Sequence, residues 1–372
     1  MTKCTLWGGY AGGNVGDELT LAIALRDMQA IYPNNVTIIS HSVEYTKWLF
    51  PRTEVVQYKK LPFVSYHFAL HKWTSRFDIL TDFFETKKFH SWMEKHIKYN
   101  FDWVKRIKNS QLLYLVGGGY LTDLFNIHSF LLPVYIAKEF GVRISTAPLG
   151  IGPFAHKKSI NLFKRAFKDA NICVRDQDSL LLCEMNGLHP KLLRDDGFRI
   201  EELSNIDIRT TKKDNIPNVS SKIGICAHNQ QGSLLSEEEY FLWWVNLLQL
   251  LIDLGLQKKI EGFCFHNSLK SDFSFLVKVF TAVGLDPKKV LEPSLDYFNA
   301  INQLKKYNYI ITTRFHAAVL ANVYQIRTLA IYSGNYYRNK MLSAIDPNQG
   351  SRASSIEESN PINIADSILQ CI

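Results

Sequence analysis

Apolar positions along the chain fall into short runs that alternate with stretches of helical period. Strand-like runs occupy Lys3–Gly8, Val36–Ser40, Gln111–Val116, Val142–Pro148 and Asn171–Val174. Between them, apolar residues recur every three or four positions over Asp17–Ile31, His128–Phe140, Ser159–Asp169 and Gln177–Asn186. Strands that alternate with helices in this way predict a parallel sheet covered by helices. After Arg199 the pattern lapses into "IEELSNIDIRTTKKDNIPNVSSK", polar and without period. Such a stretch predicts a linker. The alternation restarts at Lys222–Ala227, with a long helix from Glu237 and strands near Ile260–Phe265, Lys289–Leu291, Tyr309–Thr312 and Thr328–Tyr332. The expected organisation is an α/β lobe over 1–203, a linker over 204–221, a second α/β lobe over 222–360 and a last helix in 361–372. Open parallel sheets bind ligands beyond the carboxyl ends of their strands, so a cleft between the lobes is the expected substrate site.

Composition narrows the class. With 372 residues, 46% of them hydrophobic, the chain can bury a large core in two domains. Its most apolar window, "YFLWWVNLLQLLIDLGL", carries Asn246, Gln249 and Asp253, and reads as a buried helix rather than a membrane span. No cleavable apolar leader follows Met1, so a cytoplasmic protein is expected. The six cysteines are scattered without C-x-x-C spacing, which suggests neither a zinc site nor a disulfide framework. The net charge of +8 is uneven: residues 59–108 hold eleven Lys and Arg against five Asp and Glu, interleaved with twelve aromatic rings. Amphipathic helices with solvated basic faces account for this pattern. So does a peripheral contact with anionic lipid at the inner membrane face, or an anionic substrate. No nucleic-acid module accompanies the charge, so nucleic acid is not an expected partner.

Chemistry is expected where strands give way to helices. The opening "GGYAGGNVGDE" has five glycines in nine residues (8–16), yet in no register does it fit G-x-G-x-x-G. Nor does an acidic residue follow the next strand, or a Gly-Lys-Ser/Thr the loop, so dinucleotide and P-loop cradles are both excluded. What remains is a turn that lets backbone approach a ligand, with Asn14 and Asp17 at the head of a helix. Asp17 either meets that ligand or simply caps the helix from Glu18. Further strand-to-glycine transitions lie at Gly117-Gly118-Gly119, with Asp123 beyond it, and at "LGIGPF" (149–154). Arg175 ends another strand and either reaches into the cleft or pairs with Asp176 or Asp178. The strongest signal is "YIITTRFHAAVLANV" (309–323), where a buried strand runs through Arg314, Phe315 and His316 into a helix. A guanidinium and an imidazole at a helix N-terminus suit a phosphorylated or carboxylated ligand with a proton donor beside it. Arg338 and Lys340 follow the next strand and are expected to close the same pocket. His266 and Asp272 are placed at the same rim by the same topology.

These pieces, in this order, resemble the polysaccharide pyruvyl transferase family. The matching segments are Gly13-Asn14-Val15-Gly16-Asp17-Glu18, Gly117-Gly118-Gly119 with Asp123, Gly150-Ile151-Gly152-Pro153, Val174-Arg175-Asp176 with Ser179, and Arg314-Phe315-His316. Two departures stand out. The family most often has Leu where this chain has Phe315, and Lys340 lies farther beyond Tyr332 than the family's lysine does from its tyrosine.

The resemblance implies two Rossmann-like lobes similar to B-type glycosyltransferases. It also implies transfer of the pyruvyl group of phosphoenolpyruvate to saccharide hydroxyls as a ketal on a cell-surface or envelope glycan. Phosphoenolpyruvate is then the donor substrate, and neither a metal nor another cofactor is required. On this reading Arg314, Arg175, Lys340 and Arg338 bind phosphoenolpyruvate, and His316 supplies a proton. Asp17 or Glu18 accepts one, while Gly13, Asn14, Gly16, Gly118 and Asp123 lie toward the acceptor. A lipid-linked acceptor would account for the basic aromatic segment. The alternatives are a nucleotide-sugar glycosyltransferase of similar fold and a non-catalytic relative that binds glycan or membrane.

Overall fold

A computed structural model describes residues 3–59, 101–205, 222–228, 234–266, 268–294, 296–357, 361–362 and 364. Most of the expected linker, of the expected last helix and of the basic aromatic segment lies outside these residues. The chain divides into two compact units, but not simply in sequence order. One comprises Met1–Gly12 with Thr20–Ile208, the other Gly13–Leu19 with Arg209–Ile372.

In the first unit the elements run β1 (Cys4–Trp7), most of α1 (Val15–Ile31), β2 (Val36–Ser40), α2 (Val43–Leu49), β3 (Glu54–Gln57), α3 (Asp102–Lys108), β4 (Leu112–Leu115) and β5 (Gly118–Leu121). They continue with α4 (Ile127–Glu139), β6 (Arg143–Ile151), α5 (Lys157–Phe167), β7 (Asn171–Val174), α6 (Gln177–Met185) and β8 (Lys191–Leu192). The sheet is parallel in the order β3-β2-β1-β4-β6-β7-β8, with β5 paired to the far end of β6. Its central strands are buried on both faces, as β1 and β2 show throughout. That is why their sequences read as apolar runs rather than alternating ones. Trp7, Trp103, Phe163 and Phe167 fill the core beside it. Helix α5 shows the logic locally: Leu162, Phe163, Ala166 and Phe167 are buried while Lys164 and Arg165 stand in solvent.

The second unit holds β9 (Ile223–Cys226), α7 (Glu237–Asp253), β10 (Ile260–Gly262), α8 (Ser274–Ala282), α9 (Tyr297–Leu304), β11 (Tyr309–Thr312), α10 (Phe315–Val323), β12 (Arg327–Tyr332), α11 (Gly334–Ala344) and β13 (Arg352–Ser355). Its sheet is again parallel, in the order β10-β9-β11-β12-β13. Residues Lys289–Leu291 do not form the expected strand; Val290 makes one isolated bridge to Gly262. Helix α7 is the "YFLWWVNLLQLLID" stretch, started by a reciprocal capping box between Ser236 and Glu239. Its Trp244, Leu247, Leu248 and Leu251 face the core. Strand order reverses between β9 and β11, and such a switch point is where open α/β sheets take ligands.

A charged cluster braces the first unit. Arg199 donates to Asp27 at 2.7 Å and to Glu202 at 2.9 Å, and Asp196 lies buried beside them. Burial, reinforced by the neighbouring Asp195, pushes the Asp196 carboxyl up from 3.8 to about 7. A carboxyl whose folded value lies above its unfolded one favours folding most below pH 4, and that advantage drains away as the pH climbs through 7. Asp196→Asn, which never ionises, should therefore gain stability relative to wild type between pH 5 and pH 8. The expected gain is about 2 kcal/mol, measured by denaturant unfolding at the two pH values. A constant difference would show that Asp196 is ionised throughout.

Candidate functional site

At the switch point of the second unit, β11 ends in Thr312 and the chain turns through Thr313 and Arg314 into α10. Thr313 N donates to Cys226 O at 3.0 Å, and Arg314 N donates to Thr312 Oγ1 at 2.9 Å. These bonds leave Arg314 extended, one residue before the helix. Its Nε donates to both carboxylate oxygens of Asp272 at 3.1 Å. Its Nη2 donates to Ser271 Oγ at 3.1 Å and also to Asp272 Oδ1. Asp272 is fully buried, and its Oδ2 accepts Phe265 N at 3.0 Å. Burial works against the charge of Arg314, but Asp272 outweighs it and holds the guanidinium pKa above its ordinary value. The Arg314 side chain keeps 17% exposure. Among the described residues its Nη1 takes no hydrogen bond.

The GNVGDE segment closes on this turn. Val15 N donates to Phe265 O at 3.0 Å, and Asn14 pairs antiparallel with His266. Asn14 precedes α1, with its Oδ1 accepting Gly16 N at 3.2 Å and its carbonyl accepting Glu18 N at 3.1 Å. Asn14 thus takes the position expected of Asp17. Asp17 and Glu18 lie within the first helical turn, where negative charge is favoured. A Cβ added to Gly16 would lie 1.8 Å from His316 Nδ1. Gly16 is glycine because the His316 ring rests against its Cα. The first turns of α1 and α10 therefore abut, and the positive dipole ends of the two helices make the region favourable to an anion.

The expected lobe boundaries put the glycine loop in the first lobe and the Arg-Phe-His turn in the second. The structure corrects this: residues 13–19 belong to the unit that carries Arg314 and His316. Sequence periodicity marks a helix but not the unit against which its first turn packs.

Other side chains gather here. The Nδ1 of His266 accepts Ser268 N at 3.0 Å, which leaves the proton of the neutral ring on Nε2. Burial, then Arg314, depress its pKa, opposed by Asp272 and Asp17. Lys340 returns to the turn despite its longer spacing. Its Nζ lies 5.2 Å from the Phe315 ring centroid and 5.7 Å from those of Tyr336 and Tyr337, a cation–π arrangement. The departure at Phe315 thus supplies one ring of the Lys340 environment. Arg338 is exposed on α11.

A small recess opens beside the turn, lined among others by His228, Tyr240, Thr313, Ser333 and Tyr337. The sequence reading missed His228, although it directly follows the run Lys222–Ala227 and the strand-end rule applies to it. Its N donates to Thr313 Oγ1 at 3.1 Å, and its carbonyl accepts the Tyr240 hydroxyl at 3.0 Å. The N-terminus of α11 is already served by a carboxylate. Glu357 accepts from Ser333 Oγ and from Ser355 Oγ. Although burial opposes it, these bonds and one from the Gly334 backbone hold its pKa down.

The remaining predicted residues stand in the first unit. Arg175 donates through Nη1 to Asp195 Oδ2 at 2.7 Å, and both side chains are almost wholly buried. Asp195 is thus its ion-pair partner. Asp176 caps α6 by accepting Ser179 N at 2.8 Å. Ser179 Oγ accepts Ile151 N at 2.8 Å and so braces the end of β6. A Cβ on Gly150 would come within 2.9 Å of Arg175 Nη2, so this glycine makes room for the guanidinium. Gly118 opens β5, and Asp123 Oδ2 accepts His156 N at 3.0 Å.

Comparison with known proteins bears on both the fold and the family. A family model described as polysaccharide pyruvyl transferase matches residues 14–335. No curated protein matches the chain in sequence. Among solved structures, it is similar to Methanocaldococcus jannaschii UDP-GlcNAc 2-epimerase in complex with UDP-GlcNAc and UDP. The TM-score is 0.56 at 11% identity, covering 100% of this chain and 92% of that one. It is similar also to UDP-GlcNAc 2-epimerase from Neisseria meningitidis bound to UDP-GlcNAc (0.55, 11%, 100% and 91%). A third is the S. aureus MnaA–UDP co-structure (0.55, 12%, 100% and 98%). The shared fold is that of two Rossmann-like units of the B-type glycosyltransferase kind.

Because the His316 ring occupies the space over Gly16, Gly16→Ala should destabilise the chain by about 1–3 kcal/mol, an overpacking cost. Truncating the ring as well, in Gly16→Ala with His316→Ala, should recover most of that loss. The check is a double-mutant cycle on thermal unfolding, and additive effects would show that the two residues do not touch.

Proposed function

The chain belongs to the polysaccharide pyruvyl transferase family, and we propose that it transfers the pyruvyl group of phosphoenolpyruvate to hydroxyls of a saccharide in cell-surface or envelope glycan biosynthesis. One observation carries the donor assignment. Arg314 and His316 stand at the start of α10, and the first turn of α1 is packed against His316. Phosphoenolpyruvate carries a phosphate and a carboxylate on three carbons, which suits the remaining guanidinium N–H groups of Arg314 and converging helix N-termini.

In this scheme Arg314 holds the anion with Lys340 nearby. His316 delivers a proton to the vinyl carbon C3, and positive charge develops at C2. A sugar hydroxyl adds at C2 as Asp17 or Glu18 takes up its proton. A second hydroxyl displaces phosphate, its proton leaving with that group, and the ketal carbon ends with a methyl, a carboxylate and two sugar oxygens. Asn14 and Gly13 flank the acceptor. Gly118 and Asp123 are proposed to lie toward the acceptor, and Arg175, also a proposed phosphoenolpyruvate ligand, is oriented by Asp195. Arg338, exposed on the same helix as Lys340, adds positive charge at the entrance. The acceptor is proposed to be lipid-linked, with the basic aromatic segment meeting an anionic membrane. Among the described residues no helix is long and apolar enough to cross a membrane.

A nucleotide-sugar reading, suggested by the ligands of the structural neighbours, would want a diphosphate at a helix N-terminus. That of α11 already holds Glu357, so a diphosphate would have to compete with phosphoenolpyruvate for the start of α10.

Arg314→Ala should weaken phosphoenolpyruvate binding by about 1.5–3 kcal/mol, the worth of a charged hydrogen bond. His316→Ala should cut turnover far more than affinity. Phosphate release from phosphoenolpyruvate, followed across a panel of lipid-linked or model glycosides, measures both effects. Wild-type rates in both variants would sink the assignment. A thermal shift with UDP-sugars but none with phosphoenolpyruvate would favour the nucleotide-sugar reading.

A further inference from the structure

We propose that Asp272 is a positioning residue that confines Arg314 to end-on contact with a single ligand oxygen and sets the histidine of the same turn. This deepens, and rests on, the reading of phosphoenolpyruvate at that turn. A guanidinium has five N–H donors and commonly meets a carboxylate or phosphate with two of them side by side. Here Nε and Nη2 form the edge spent on Asp272, and Nη2 also donates to Ser271 Oγ. Neither two-pronged edge remains intact for a ligand. What is left is Nη1, on a side chain with 17% exposure.

The same carboxylate reaches further. Its Oδ2 accepts Phe265 N at 3.0 Å, and the carbonyl of Phe265 accepts Val15 N at 3.0 Å. Val15 opens α1, and the next residue, Gly16, is the one pressed against His316. The path runs from Arg314 through Asp272, Phe265 and Val15 to Gly16, and returns to His316 two residues beyond the arginine. A shift of Asp272 therefore moves the anion contact and the support of the imidazole together. A buried ion pair of this kind adds little stability over a well-packed apolar pair, so orientation is the property it provides. Serine at 271 adds a second restraint on Nη2, donating in turn to Asp272 Oδ1 at 3.1 Å.

The test is calorimetric titration of the full chain with phosphoenolpyruvate, with unfolding midpoints recorded for every variant. Asp272→Glu keeps the charge but pushes the carboxylate one methylene outward, and should weaken binding about tenfold in a chain that still folds. In an Arg314→Lys background, Asp272→Glu should bring no further loss, because the oriented group has gone. A purely structural aspartate would lower the unfolding midpoint equally in both backgrounds and leave affinity unchanged in the folded fraction. Wild-type affinity in folded Asp272→Glu, or losses that multiply with Arg314→Lys, would overturn the proposal. If Asp272→Glu does not fold, Ser271→Ala decides: affinity about threefold weaker supports it, and unchanged affinity overturns it. Should the wild-type chain bind no phosphoenolpyruvate, the donor assignment falls and takes this inference with it. Binding by wild type and Asp272→Glu alike sinks the inference alone.

Discussion

A buried positive charge cannot stand alone in a protein interior, and the second unit is organised around that constraint. Arg314 is taken out of water for most of its length, so a carboxylate must lie against it. Asp272 meets the requirement, but a fully buried carboxylate has its own unmet lone pairs. These draw in the Phe265 amide and the Ser271 hydroxyl. The Phe265 peptide is thereby fixed, and its carbonyl is turned to receive the start of α1. One ion pair thus determines where a helix from the other end of the sequence begins.

The glycines tell a related story. A glycine-rich loop after a strand invites a reading in which backbone makes way for a ligand. At Gly16 and Gly150 the occupants of the vacated space are instead the chain's own His316 and Arg175. In both places a motif glycine and a motif side chain, distant in sequence, are two halves of one contact. Side chains seated in this way lose rotamer freedom before any ligand arrives, which suits groups that must meet a small anion in one orientation.

Much of this was legible in the sequence. Both parallel sheets followed from apolar runs without alternation, and strands Asn171–Val174 and Tyr309–Thr312 ended where the pattern ended. The Arg-Phe-His turn stood out because charged residues rarely interrupt a buried strand-to-helix junction without cause. Less visible were elements whose apolar content is low or whose length is short. Strand β13, with the sequence RASS, carries no hydrophobic signal and is placed by its register with β12. Helix α11 begins "GNYYRNK" and shows no apolar stripe; Lys340 was expected at this pocket, but the aromatic rings that surround its ammonium were not legible from the spacing. The ion pair of Arg175 escaped too, since Asp195 lies twenty residues away and local acids offered nearer partners. Long-range pairing is a tertiary property that one-dimensional periodicity does not encode.

The seven residues Gly13–Leu19 give the two units an unequal relationship to the polypeptide. Cutting the chain in the polar stretch after Arg199 would separate most of each sheet but would not yield two intact bodies. The C-terminal fragment would keep Arg314 and His316 and lose the turn that covers them, leaving the Phe265 carbonyl and one face of the imidazole to water. Recombination between relatives meets the same obstacle. A C-terminal half exchanged as a cassette would receive its missing turn from a foreign N-terminus, and the glycine facing the histidine would have to travel with it. The two halves are therefore bound to evolve as a matched pair.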